Sequence, residues 1–183
     1  GEHIGLCGES GSGKTTLLKL ISGMLVPTTG EICIDGYPLK ELSSQALTNN
    51  IFLLLQQPYI FNATVSDNIV CGRQNIPPQA VLSALKMVGF SDNEISAFLY
   101  RPVGENGCHL SGGERKRIAL ARYFINPSSI LLLDEPTAML NSELANIVMG
   151  NIHKYCSSRT VIVVSHDKEL SKWVKKTYYI KRR

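Results

Sequence analysis

The chain has 183 residues, 44% hydrophobic and 19% charged, an ordinary globular composition that suffices for about one domain and its core. A net charge of +4 is too mild to argue for nucleic acid. The longest apolar runs, such as IFLLL (51–55), fall far short of the ~20 residues a bilayer span requires, and no signal peptide is read at the start.

The first element expected is a buried strand, HIGLC, entered within three residues of Gly1. Such an abrupt entry suggests a piece of a longer protein. GESGSGKTT (8–16) follows and fits G-x-x-x-x-G-K-T. Glycines there let successive N–H groups turn inward onto phosphate oxygens, and the helix expected over 14–23 adds its positive end. Lys14 suits the outer phosphates, and the Thr15 hydroxyl suits Mg²⁺.

IFLLL is read as a second buried strand, with Gln56 just beyond its end. Between Pro58 and Leu110 no buried strand is expected. TVSDNIV, PQAVLSALKMVG and SDNEISAFL read as short helices, with Thr64 and Ser91 as N-caps. The chain is therefore expected to be an α/β domain with core segments 1–57 and 111–183 and an all-helical insertion at 58–110.

CHLSGGERKRIAL (108–120) opens a helix over 112–125 with Ser111 as its N-cap, a second anion-binding turn. Arg115, Lys116 and Arg117 oppose the dipole in its first turns, which hints at an anionic partner, solvation being the alternative. ILLLDEP then ends an apolar strand on Asp134 and Glu135. A carboxylate in that setting wants a cation or a proton, so Asp134 reads as the magnesium-side acid and Glu135 as the group that orients or deprotonates a water. A helix over 142–156 carries Leu144, Ile147, Val148, Ile152 and Tyr155 on one stripe. TVIVVSH brings His166 to another strand end. In an open parallel sheet Gly8, Gln56, Asp134 and His166 then share one rim, where His166 is expected to touch a γ-phosphate.

The last segment collects Lys172, Lys175, Lys176, Lys181, Arg182 and Arg183, read as a solvated face with acidic lipid as the lesser option. Five cysteines without metal or CxxC spacing predict reduced thiols, with Cys7 and Cys33 as small core residues.

Taken in order, GESGSGKTT, LLLQQP, LSGGE, ILLLDEP and SH resemble the nucleotide-binding domain of ATP-binding-cassette (ABC) transporters across essentially the whole chain. The resemblance implies a P-loop NTPase (RecA-like) core with a mainly parallel sheet, the N-terminal antiparallel strands missing. It implies ATP and Mg²⁺ as ligands. Walker A is then Gly8, Glu9, Ser10, Gly11, Ser12, Gly13, Lys14, Thr15 and Thr16, and Gln56 is the Q-loop residue on the metal. Leu110, Ser111, Gly112, Gly113 and Glu114 form the signature. Asp134 is Walker B, with Thr15 and Gln56 as its companions at the metal. Glu135 is the catalytic base, Lys14 assists, and His166 is the switch. In that family two such domains pair head to tail, so the second turn would serve ATP held by the partner.

VGENG (103–107) and FNATVSDNI (61–69) are similar to exporter-type members. They imply a transmembrane domain, on the same or an associated chain, a second identical or different cassette, and a place on the cytoplasmic face of a membrane. Three departures stand out. The signature ends in Glu114 rather than Gln, AMLN (138–141) puts Asn141 where the family has aspartate, and the adenine-stacking aromatic would lie upstream. A soluble cassette ATPase of DNA maintenance or translation is disfavoured, since no coiled-coil or tandem insertion is present. A binding-only regulatory cassette is permitted by Asn141 but opposed by Lys14, Glu135 and His166.

Overall fold

Apolar runs of strand length generate one sheet in the computed structural model, which describes residues 1–166 and 172–181. Strand β1 (His3–Gly8) is followed by helix α1 (Lys14–Ile21), the short strands β2 (Cys33–Ile34) and β3 (Tyr37–Pro38), and α2 (Ser44–Asn50). Next come β4 (Ile51–Leu54), α3 (Val65–Val70), α4 (Pro78–Met87), α5 (Asp92–Phe98) and α6 (Gly112–Ile125). The chain continues through β5 (Ile130–Asp134), α7 (Ser142–Tyr155), β6 (Thr160–Val164) and β7 (Lys176–Ile180). The main sheet runs β4-β5-β6-β1-β7, every pair parallel. Parallel pairing aligns the strand ends, so Leu54, Asp134, Val164 and Gly8 all leave the sheet at one edge.

Packing divides the chain into two units, Gly1–Leu55 with Ser128–Pro136 and Cys156–Arg183, and Gln56–Pro127 with Thr137–Tyr155. In the first, Leu6, Leu18, Ile51, Leu132 and Val164 form a buried cluster that Leu17 and Ile21 of α1 extend. Burial of Leu131, Leu132 and Leu133 at 0% exposure explains why ILLL reads as continuous apolar sequence: both faces of a central parallel strand are covered.

Four elements of this unit differ from the expectation. An antiparallel pair, β2 with β3, turns at Asp35 and Gly36, whose φ values of 50° and 84° suit the Asp-Gly hairpin signal. Helix α2 is capped by Ser43, whose hydroxyl accepts from the Ala46 amide at 3.1 Å. Strand β7 lies at the sheet edge beside β1, inside the segment read as a basic tail. Lys176 there pairs with Glu2 at 3.3 Å. Arg182 and Arg183 lie outside the described residues. Cys33 is exposed, not a core residue, because β2 is a two-residue strand of a hairpin; Cys7 is half-buried.

The second unit is helical. Capping boxes close α3 and α5: the Thr64 and Ser91 side chains accept from the amides of Asp67 and Glu94, whose carboxylates return the bond. Bonds from the Ser91 amide and hydroxyl hold the Glu94 carboxyl below its ordinary pKa. Helix α6 lies on α3 and α4, and α7 touches α4, so the helical unit gathers more than residues 58–110. Along α7, Val148 and Ile152 are buried whereas Ile147 and Tyr155 of the expected stripe are exposed.

The keystone of this unit is Asn68, fully buried. Its side-chain oxygen accepts from the Phe61 amide at 2.8 Å, and its amide donates to the Phe61 and Thr64 carbonyls at 3.0 Å each. Arg122 of α6 adds bonds to the Asn68 carbonyl (2.8 Å) and side chain (3.2 Å) and to the Tyr59 carbonyl (2.9 Å). Burial lowers the guanidinium's pKa, and these acceptors compensate the charge. Asn68→Ala would strip partners from several buried groups at once and should destabilise the protein by roughly 2–4 kcal/mol in denaturant titrations. A loss under about 0.5 kcal/mol would show that water replaces the amide there.

Among the described residues no helix is long and apolar enough to cross a membrane.

Candidate functional site

The turn between β1 and α1 has three glycines at positive φ, Gly8, Gly11 and Gly13, and two of them shape the cradle. Gly8 has φ 155°, and a Cβ there would collide with the Ile180 carbonyl oxygen of β7 and stand 2.8 Å from the Ser12 hydroxyl. Gly13, the N-cap of α1, has φ 94°, and nothing lies within 4 Å of the point its Cβ would occupy. The first glycine is thus demanded by the neighbouring strand. The second opens space where the first amides of α1 converge, the geometry that suits a phosphate.

Lys14 folds back over this turn. Its ammonium donates to the Gly8 and Glu9 carbonyls at 2.7 Å each and stands 3.5 Å from the Ser12 hydroxyl. The residue is buried, which holds the charge over the loop rather than in solvent. Glu9, Ser10, Gly11, Gly13 and Thr16 are exposed around it, with Ser12 and Thr15 half-buried.

The second half of the site comes from β5. Asp134, only 2% exposed, accepts a hydrogen bond from the Thr15 hydroxyl at 2.7 Å, joining residues 119 positions apart. One buried carboxylate beside one hydroxyl is a hard-oxygen pair suited to Mg²⁺, which keeps water and phosphate oxygens as its other ligands. Among the described residues no cluster of three or more His, Cys, Asp or Glu side chains is placed to hold a metal ion.

Glu135 follows in a left-handed conformation, φ 51°, while its amide donates to the Val164 carbonyl at 2.9 Å. That strained turn carries the side chain off the strand and toward His166, whose Nε2 stands 3.5 Å from Glu135 Oε1. His166 is exposed at the end of β6. The sheet therefore brings Lys14, Thr15, Asp134, Glu135 and His166 to a single edge. Gln56 is exposed at the start of the helical unit, where it lines a groove of about 440 Å³ with Gly112.

The second turn is also formed. Ser111 caps α6: its hydroxyl accepts from the Glu114 amide at 3.2 Å, and Glu114 Oε2 accepts from the Ser111 amide at 2.7 Å. Glu114 therefore completes a capping box, a role its carboxylate fills without the family's glutamine. The S-x-x-E spacing was a visible signal for it.

The cations that follow are engaged internally. Arg115 donates to the Gly107 and Leu110 carbonyls at 3.3 and 3.1 Å, and Arg117 stacks on Phe90 at 3.6 Å while donating to the Gly89 carbonyl. Burial lowers the Arg117 pKa. Neither solvation nor an anionic partner is needed to explain these two; carbonyls and an aromatic face are their partners. Asn141 accepts from the Leu144 amide at 2.8 Å and so caps α7, as expected for an asparagine in place of aspartate.

Known proteins resemble this chain in sequence and in fold. Leukotoxin export ATP-binding protein LtxB of Aggregatibacter actinomycetemcomitans is 40% identical over 168 residues, 91% of this chain and 24% of that protein. Alpha-hemolysin translocation ATP-binding protein HlyB of Proteus vulgaris shows the same identity and coverage. A solved bacterial Atm1-family ABC exporter with ATP bound superimposes with a TM-score of 0.93 at 27% identity, over 100% of this chain and 33% of that one. The chain thus spans about a quarter of the length of the curated relatives it matches. A model of the ABC transporter family matches residues 1–138. With a phosphate turn, a metal-suited acid and a capped second turn all inside or beside that match, the chain belongs to the ABC transporter family.

Proposed function

We propose that this chain is the ATP-hydrolysing cassette of an exporter, pairing head to tail with a second cassette to drive an attached transmembrane domain at the cytoplasmic face of a membrane. The observation that carries this reading is the 2.7 Å bond between Thr15 and Asp134, which ties a phosphate turn to a buried acid at one sheet edge. Gly8 to Thr16 cradle the phosphates, and Lys14 exchanges carbonyl contacts for the outer phosphates of ATP. Thr15 and Asp134 would hold Mg²⁺, which when bound neutralises charge on the phosphate oxygens. Glu135 takes the proton of the attacking water, and His166 holds the Glu135 carboxylate and the γ-phosphate in register. Ser111, Gly112, Gly113 and Glu114 serve the nucleotide of the opposite cassette. Residues 58–110, with their exposed Tyr59, Phe61 and Tyr100, carry the contact to the transmembrane domain. The similar proteins are named for leukotoxin export and hemolysin translocation, which supports the outward direction.

Head-to-tail pairing has a test that a lone-cassette ATPase cannot pass. Protomers carrying Lys14→Ala and protomers carrying Gly113→Asp are each expected to lose at least about 100-fold in ATPase rate. Co-assembled, the mixed dimer keeps one composite site intact, made of the Lys14 turn of one protomer and the signature of the other. Activity should return to a fraction of wild type. No recovery in a verified mixed dimer would mean that each protomer works alone.

A further inference from the structure

Residues 138–141 are one of the places where this chain departs from the pattern of its family, and their placement is specific. Met139 is a non-glycine residue in the left-handed region, φ 69°, and 79% exposed. Its thioether nevertheless lies over the first residue of α6: a Cβ on Gly112 would collide with Met139 Sδ. One residue on, a Cβ at Gly113 would stand 3.0 Å from the Met139 carbonyl oxygen and 3.0 Å from Leu140 Cδ2. The loop therefore rides on both signature glycines. Behind it the loop is fixed, because Leu140 N donates to the Thr137 carbonyl at 3.1 Å, and Asn141 caps α7.

We propose that Met139 is a positioning residue for the signature turn, its thioether laid over Gly112 and governing how far the first amides of α6 are presented to an incoming triphosphate. The proposal rests on the head-to-tail reading above. An anion reaching those amides must displace a large, water-exposed apolar side chain. Methionine, with three rotatable bonds, can give way, and the groove of about 440 Å³ that Met139 lines with Gln56, Arg115 and Lys116 offers room for it. Part of the nucleotide's binding energy is spent on that displacement, so closure needs more ATP than it would with a small residue at 139.

Three measurements on the full-length protein test this. Thermal melts without nucleotide examine the contact itself: Gly112→Ala should lower the melting temperature in wild type and clearly less in a Met139→Ala background, whereas additive shifts would overturn the contact. Steady-state ATPase examines the role. Met139→Ala should lower the half-saturating ATP concentration by about threefold at near-constant maximal rate, Met139→Phe should raise it, and Met139→Leu should match wild type. A merely structural residue would shift Ala and Phe in the same direction, and that result overturns the proposal. Peroxide footprinting adds a readout apart from turnover: hydrogen peroxide transfers one oxygen to the thioether, giving sulfoxide and water. In a Glu135→Gln background with Mg-ATP, oxidation of Met139 should slow several-fold relative to Met24, which is 59% exposed in the other unit. An unchanged ratio in protein that demonstrably retains ATP overturns the proposal, while failure to retain ATP indicts the cassette reading itself.

Discussion

Glu135→Gln should reduce ATP turnover by about 10³-fold while ATP remains bound and the two cassettes stay closed on it. Glutamine preserves the volume and the hydrogen-bonding reach of the side chain, so the left-handed turn at 135 and its amide bond to Val164 survive. What disappears is the capacity to take a proton. The His166 ring, 3.5 Å from the carboxylate, keeps a partner in the amide oxygen. A retained nucleotide with lost chemistry is the signature of a missing base, because a binding defect would raise the half-saturating concentration instead. Rapid filtration of labelled ATP alongside phosphate release separates the two. Undiminished hydrolysis would remove Glu135 from the base role and leave His166 as the next group to test.

The parts of this molecule that are legible in its sequence are those where local chemistry leaves no alternative. Gly8 to Thr15 can be read because a phosphate turn needs glycine at fixed offsets, and the structure supplies a second reason at Gly8, the approach of the Ile180 carbonyl. The strands at 3–8, 51–54, 130–134 and 160–164 can be read because covering both faces of a parallel sheet demands unbroken apolar runs. Thr64, Ser91 and Ser111 announce their helices by the acid three residues later.

Strand β7 is the counterexample. KTYYI has no apolar alternation, since at the sheet edge Tyr178 and Tyr179 are exposed, and it owes its strand to pairing with β1 rather than to its own pattern. The cations after Ser111 mislead for a related reason. Sequence assigns charge to solvent or to ligand, yet Arg115 is consumed by carbonyls of the turn before its helix, and Arg117 by the Gly89 carbonyl that only the fold brings near. Met139 is invisible for the same cause: its partner, Gly112, is 27 positions away and carries no side chain to pattern against.

Asp134→Asn is expected to separate fold from function. The carboxylate sits at the end of a strand whose leucines are wholly covered, and at 2% exposure it has almost no water of its own. Such a charge weakens the fold unless a cation stands against it. Asparagine keeps an oxygen for the Thr15 hydroxyl, 2.7 Å away in the wild type, and removes the charge. Without metal, therefore, the variant should melt at the wild-type temperature or higher, by an amount corresponding to about 1 kcal/mol. With Mg-ATP the order should invert. The wild type gains stability from the bound ion and nucleotide, whereas the variant gains little. Its ATPase rate should fall by about 10³-fold, since the ion that neutralises the phosphates has lost its anionic ligand. Manganese binding followed by electron paramagnetic resonance in the presence of a nucleotide gives a readout independent of turnover. Should the variant melt far below wild type without metal, Asp134 would be a structural acid serving Thr15, and the metal would need another holder. Should it bind manganese as tightly as wild type, the buried acid would have no part in the metal site, and the 2.7 Å bond would be a fastening of the turn to the sheet.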